Sequence, residues 1–327
     1  MLLAGDIGGT KTLLGLFERD RGRPRTLVVR EYATLDFDSF DELTQVFLDD
    51  TRAASALTAV CIGVAGPVTG LVARLTNVPW LADLSTLADR LGDCPVQLLN
   101  DLEAMAHAVT VLEPHEIAVL QDGVRVTGGN AAIIAAGTGL GEALLHYVGG
   151  RFVPSASEGG HADFAARTPR ELALVAQLTT IHGRVDNDRV ISGPGLVNIF
   201  RFTHGVTGTG VACRVIGSEV EHGEMPAAIS ACALSGACEQ CVEALEMFVE
   251  AYGAEAGNLA LRSVATAGVY IGGGIAPKVL PALETGPFLD AFCGKAPLSD
   301  LLRTMPVSVI LNPGAGLLGA AVRASGM

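Results

Sequence analysis

The chain has 327 residues, enough for two domains of ordinary size, and hydrophobic residues make up 49% of it, which supplies ample core. A formal net charge of -13, from 22 Lys+Arg against 35 Asp+Glu, excludes the basic stripe of a nucleic-acid binder, but a polyanion could still be bound if backbone amides and a metal ion neutralise it locally. Mean hydropathy is +0.41, yet no apolar stretch reaches the length of a membrane span, and the first residues enter a strand pattern without a basic leader, so a globular, soluble, cytoplasmic protein is expected.

The N-terminal run LLAGDIGGTKTLLGLF reads as strand, glycine turn, strand, because the apolar segment after the glycines is short and suits a strand better than a helix. A Walker loop or dinucleotide fingerprint would have to enter a helix there, and neither is present. After the polar turn ERDRGRPR, TLVVREYATL predicts a third strand, DELTQVFLDDTRAAS an amphipathic helix and TAVCIGVAG a fourth strand. PVQLLN then predicts a buried strand and LEAMAHAVTVL the helix that follows it, with a break at Glu113-Pro114 and a domain hinge near residue 112. Residues 131 to 153, AAIIAAGTGLGEALLHYVGGRFV, repeat the opening pattern, and RFVPSA, helical material and VYIGGG complete it in the same order. The repetition implies a duplicated α/β core. The last stretch, PVSVILNPGAGLLGAAVRASG, predicts a strand, a turn and a small-residue helix that packs back onto the first domain.

Asp6 ends the first strand. Asp6 and the glycines after it suit a tight turn by themselves. A functional reading makes Gly8, Gly9 and Thr10 phosphate contacts through their amides and Asp6 a magnesium ligand through water, and the second copy, Gly137-Thr138-Gly139, favours it. Gly272, Gly273 and Gly274, ahead of Ile275-Ala276-Pro277-Lys278 where a helix would start, either permit close packing or let a flat adenine and ribose lie against the backbone. Asn100 and Asp101 stand at a strand end. Asp101 reads first as a helix N-cap, although a carboxylate there can also deprotonate a substrate hydroxyl. Glu158 and His161 share the loop SEGGH, where a lone histidine is most often structural and further metal ligands are lacking nearby. Ser192 and Pro194 announce a helix in ISGPGLVNIFRF, with Asp188 at its approach.

The seven cysteines are an odd number and argue for reduced thiols. Cys238 and Cys241 form a CxxC within ACALSGACEQCVEALEMF, which reads as one helix with small buried residues at helical spacing. That segment is expected to be core rather than a metal site, because no second CxxC or nearby histidine completes a zinc set.

GDIGGTKT at 5 to 12, TNVPW at 76 to 80, LLNDLEAMA at 98 to 106, AAGTGLGEA at 135 to 143, SEGGHADF at 157 to 164, ISGPGLVNIFR at 191 to 201 and GGGIAPK at 272 to 278 follow one another in order. In these motifs the chain resembles, nearly end to end, the non-repressor bacterial glucokinases of the actin-like ATPase and sugar kinase superfamily. The resemblance implies a two-domain ribonuclease H-like fold with duplicated mixed sheets and an interdomain cleft, divided into 1–112 plus 306–327 and 113–305. It implies transfer of the γ-phosphoryl of ATP to the 6-hydroxyl of glucose, with Mg²⁺. Carried onto matching positions, Asp101 is the base. Asn100, Asp101, Glu158, His161 and Asp188 bind the sugar. Gly5, Asp6, Ile7, Gly8, Gly9, Thr10, Gly137, Thr138, Gly139 and Gly272 to Gly274 bind ATP. Relatives imply a homodimer. The family places a glutamate at position 188, and the aspartate here is one methylene shorter, which bears on how strictly glucose is selected. The alternatives are a kinase of the repressor and open-reading-frame sugar kinase family with another hexose preference, whose cysteine-rich zinc motif is absent, or a non-catalytic sugar-sensing regulator, for whose DNA-binding module the N-terminus leaves no room.

Overall fold

The computed structural model describes residues 1–75, 78–205, 213–217, 220–221 and 223–327. Thr76 and Asn77 of the TNVPW motif lie outside the described residues. The chain divides into two compact units, Met1–Pro114 with Pro154–Ala156 and Asn312–Met327, and His115–Val153 with Ser157–Leu311. The division at the C-terminal end falls at residue 312 rather than at 306, because the strand expected there is hydrogen-bonded into the second unit's sheet.

In the first unit, β1 (Leu2–Ile7) and β2 (Lys11–Glu18) form the expected antiparallel hairpin, with Ile7 opposite Thr12, and β3 (Arg25–Ala33) pairs with β2. Helix α1 (Phe40–Thr51) begins on a Ser39 cap and buries Phe40, Leu43, Phe47 and Leu48. β4 (Ala59–Val64) is buried throughout and lies parallel to β1. A small three-stranded sheet, β5 (Val68–Thr69), β6 (Val72–Arg74) and β7 (Leu81–Asp83), and helix α2 (Ser85–Leu91) follow. β8 (Val96–Asn100) then pairs in parallel with β4, and α3 (Asp101–Ala108) leaves from its end. The sheet order is β3-β2-β1-β4-β8.

The second unit repeats this order. β9 (Ile117–Gln121) precedes the second hairpin, β10 (Ala131–Ala136) and β11 (Leu140–Val148), and β12 (Arg151–Ser157) extends it. Helices α4 (Pro169–His182), α5 (Gly193–Thr203), α6 (Met225–Leu234) and α7 (Glu239–Ser263) lead to β13 (Gly268–Gly272), parallel to β10. Short helices α8 (Leu280–Leu283), α9 (Pro287–Cys293) and α10 (Ser299–Thr304) lead to β14 (Val307–Ile310). The sheet reads β12-β11-β10-β13-β14-β9, which is the first unit's order with β9 added at the edge. The duplicated core expected from the motif order is therefore a property of the strand pairing.

Two local readings are corrected. ACALSGACEQCVEALEMF is not one helix: α6 stops at Leu234 because Gly236 takes φ +68°, and the Ala237 N–H turns back to the Cys232 carbonyl at 3.1 Å before α7 starts. No helix starts at Ile275. The backbone turns instead, with Lys278 N–H on the Ile275 carbonyl, and α8 begins only at Leu280.

From Asn312 the chain belongs to the first unit again, and α11 (Ala315–Ser325) packs on β1, β4 and α3 as anticipated. Its small residues allow the approach: a Cβ on Gly319 would stand 1.8 Å from the Ala104 carbonyl oxygen of α3. Leu2, Ala4, Ala59, Leu99, Ala104, Leu317, Ala320 and Ala324 form the core on this face of the sheet, and the residues of α1 fill the other. Among the described residues, no helix is long and apolar enough to cross a membrane.

Candidate active site

β1, β4 and β8 are parallel and in register, with Ile7 beside Val64 and Val64 beside Asn100, so their carboxyl ends lie at one edge of the first sheet. That edge is where open α/β sheets present ligand-binding loops. It carries Gly8, Gly9 and Thr10 after β1, Asn100 as the last residue of β8, and Asp101 directly after it. The hairpin turn is closed by the Gly8 N–H on the Lys11 carbonyl at 3.0 Å. It is also pinned from outside: Thr34 Oγ1 donates to the Gly8 carbonyl at 2.9 Å and shares a hydrogen bond with Thr12 Oγ1 at 2.9 Å. Nothing in the sequence marked Thr34 for that role.

Asp6 lies beside Gly63 of β4 and against the first turn of α11, where a Cβ on Gly316 would come within 2.4 Å of Asp6 Oδ2. Burial pushes its carboxyl up to about 6, against the opposing pull of Lys11. A carboxylate that is both desolvated and weakly compensated is a group that a divalent cation would return to its ionised form.

The helix cap at the end of β8 is Asn100, not Asp101. The Asn100 side-chain oxygen accepts from the Leu102 and Glu103 N–H groups at 2.9 and 3.3 Å, and its amide donates to the Gly66 carbonyl at 3.3 Å. Asp101 is the first helical residue, half-buried, with Oδ1 accepting from the Leu102 N–H at 2.9 Å. The cap therefore falls on Asn100, and Asp101 stands next to it at the sheet edge.

In the second unit the same edge is formed by β10 and β13, with Ala135 beside Gly272. Gly137, Thr138 and Gly139 connect β10 to β11, and the Gly137 N–H closes on the Gly139 carbonyl at 2.8 Å. Gly273 belongs to this turn's packing. Its φ is +82°, and a Cβ there would stand 2.4 Å from the Ala136 carbonyl oxygen, while a Cβ on Gly274 would meet nothing within 4 Å. Of the two readings left open for these glycines, close packing accounts for Gly273 and an open backbone surface for Gly274. Tyr252, fully buried on α7, holds the same strand ends. Its hydroxyl accepts from the Ala136 N–H at 3.1 Å and lies 3.3 Å from the Ile134 and 3.4 Å from the Gly272 carbonyl.

Glu158, His161 and Asp188 are brought together by two loops. The Asp188 N–H donates to the Gly160 carbonyl at 2.8 Å and the Asn187 N–H to the Ala162 carbonyl at 3.0 Å, so the SEGGH loop and the segment before α5 lie side by side. Glu158 is exposed. His161 Nδ1 is 3.3 Å from Oδ2 of the buried Asp186, which also pairs with Arg184 and with Arg189 through both its backbone N–H and its guanidinium. Asp188 Oδ1 accepts from the Leu140 N–H at 2.6 Å, and its own carbonyl accepts from the Ser192 hydroxyl that caps α5. Burial raises the Asp188 carboxyl, and the Leu140 hydrogen bond opposes the shift. Asp188 is therefore a latch on the second glycine hairpin, a role the sequence did not reveal.

A sheet of order 3-2-1-4-5 occurring twice, each copy with a glycine hairpin at the ends of its parallel strands, is the duplicated core of the actin-like ATPase fold, to which sugar kinases belong. A family model described as glucokinase matches residues 3–327. The chain is 39% identical to a glucokinase of Trichormus variabilis over 338 residues, covering 99% of each protein. It belongs to the glucokinase family, and is a phosphotransferase acting on glucose. A glucokinase crystal structure from an Antarctic psychrotroph superimposes with a TM-score of 0.85 at 28% identity, covering 100% of this chain and 99% of that one. A glucokinase of the repressor and open-reading-frame sugar kinase family from Streptomyces griseus, solved with glucose and AMPPNP, shares the fold with a TM-score of 0.64 at 22% identity, covering 100% of this chain and 99% of that one.

Proposed function

We propose that the chain transfers the γ-phosphoryl of ATP to the 6-hydroxyl of glucose, with Asp101 as the general base. Phosphoryl transfer has a loose transition state that rewards alignment and charge neutralisation more than covalent help. The division of labour follows from that. Amides of Gly9 and Thr10 and of Thr138 and Gly139 face phosphate oxygens, while the Gly8 and Gly137 N–H groups are spent closing the two turns on the Lys11 and Gly139 carbonyls; Gly274 offers a flat backbone surface to adenosine, and Glu158, His161 and Asp188 orient sugar hydroxyls. Asn100, two of whose three described hydrogen bonds cap α3, fixes the entry of that helix and offers its remaining amide hydrogen to the sugar. As the 6-oxygen forms its bond to the γ-phosphorus, the bond to the β-phosphate oxygen breaks, ADP departs and the hydroxyl proton passes to Asp101.

Asp6 would hold Mg²⁺ through water, and the ion would supply charge neutralisation at the β- and γ-phosphates. In this reading the protein works as a homodimer in the cytoplasm, a compartment in which an odd number of cysteines stays reduced. The observation that carries the reading is the recurrence of one strand order with a glycine hairpin at the same position in both units, and a carboxylate at the third strand end of the first.

A coupled assay for glucose 6-phosphate is expected to show ATP-dependent activity chiefly on glucose, compared with fructose, mannose and N-acetylglucosamine. Equal or higher kcat/KM on one of the others would replace the assignment with a different hexose. Because Asp188 also latches the hairpin through the Leu140 N–H, Asp188→Ala is expected to raise KM for ATP as well as for glucose, each by roughly tenfold, the scale of one charged hydrogen bond. A change confined to glucose would remove the latch from the account.

A further inference from the structure

Cys238 and Cys241, set aside in the sequence for want of partners, acquire two of them in the fold. His204, the residue that closes α5, and Cys213 arrive beside them, and the four ligand atoms all lie within 4.8 Å of one another. We propose that His204, Cys213, Cys238 and Cys241 form a structural zinc site.

The spacing fits the ion. Bond lengths of about 2.3 Å to sulfur and 2.0 Å to nitrogen place tetrahedral ligand atoms about 3.6 to 3.8 Å apart. Here Cys238 Sγ is 3.5 Å from His204 Nε2, and Cys213 Sγ is 4.0 Å from Cys241 Sγ. The histidine is already turned for the task. Its Nδ1 lies 2.8 Å from the Phe200 carbonyl, which can only accept, so Nδ1 carries the proton and the Nε2 lone pair faces the sulfurs. Ligating histidines are usually fixed in this way by a backbone carbonyl at their other nitrogen. The exposed Arg214 lines the same cavity of about 450 Å³ and offsets the single negative charge that three thiolates and a neutral imidazole leave around Zn²⁺. On binding, the three thiols release their protons to solvent and no oxidant is required.

Four protein ligands close the coordination sphere, so the site serves structure rather than hydrolysis. It clips the end of α5 to the start of α7 and to Cys213. The other end of α5 touches the second glycine hairpin, through the Gly193 N–H on the Gly137 carbonyl at 2.8 Å.

The test is cobalt substitution on the full chain, reduced and freed of metal with a chelator. One equivalent of Co²⁺ is expected to give the ligand-field bands of a tetrahedral ion together with a thiolate charge-transfer band, both abolished by Zn²⁺, and zinc should raise Tm. The double variant Cys238→Ser, Cys241→Ser should lose both bands. His204→Cys should retain them with altered energies, and Cys232→Ser, a neighbouring thiol outside the ligand set, should leave them unchanged. A wild-type chain without the bands, a double variant that keeps them, or a Cys213–Cys241 disulfide in the purified protein would each overturn the site. Should the double variant misfold, the wild-type spectrum and the His204→Cys shift still decide.

Discussion

Asp101→Asn is expected to lower kcat by at least about a hundredfold, the usual scale of a positioned general base, while leaving KM for glucose within a few-fold. The variant keeps the shape of the side chain and a side-chain oxygen for the Leu102 N–H, and removes only the capacity to take a proton. Helix α3 should not notice, because its cap is Asn100, which holds both the Leu102 and the Glu103 N–H. A comparison with Asn100→Ala separates the two roles. Loss of that cap should cost about 1 kcal/mol of stability, read as a fall in Tm, whereas Asp101→Asn should shift Tm little. Steady-state kinetics beside thermal unfolding reads both. A folded Asp101→Asn enzyme with near-normal kcat would move the base elsewhere, and a large fall in its Tm would return Asp101 to the capping role that the sequence first suggested.

The hairpins, the repeat and the strand-end carboxylate were legible because each is a local pattern: an apolar alternation, two glycines and a polar residue within a few positions. What fixes those parts in place was not. Thr34 reaches the Gly8 carbonyl across 26 residues, Asp188 the Leu140 N–H across 48, and Tyr252 the Ala136 N–H across 116. Such pairs are set by tertiary packing and have no signature in either partner alone. The approach of His204 and Cys213 to the CxxC was hidden for the same reason. CxxC was visible, but its histidine lies 34 residues before Cys238, behind a helix end that no spacing rule connects to it. The C-terminal boundary erred because β14 looks the same whether it closes one sheet or another; only its pairing with β13 and β9 assigns it.

Asp6→Asn should abolish magnesium-dependent turnover and at the same time stabilise the ligand-free protein at neutral pH. The folded-state pKa of about 6 lies above the ordinary aspartate value of 3.8. Between these values the folded protein binds more protons than the unfolded chain, so stability falls as pH rises through the window, and above about 6 the full cost of an ionised Asp6 is present. Two pKa units correspond to at most about 3 kcal/mol, less whatever solvent screening the partly exposed side chain receives. The asparagine carries no charge at any pH. Its advantage in Tm over the wild type should therefore be largest near pH 8 and vanish towards pH 4. Mg²⁺ with nucleotide should close the gap from the other side, because an ion that favours the ionised carboxylate stabilises the wild type and not the variant. A variant less stable than wild type at pH 8 without ligand would mean that the Asp6 carboxylate is held by compensating contacts at the start of α11, and that its raised pKa is not a strain reserved for the metal.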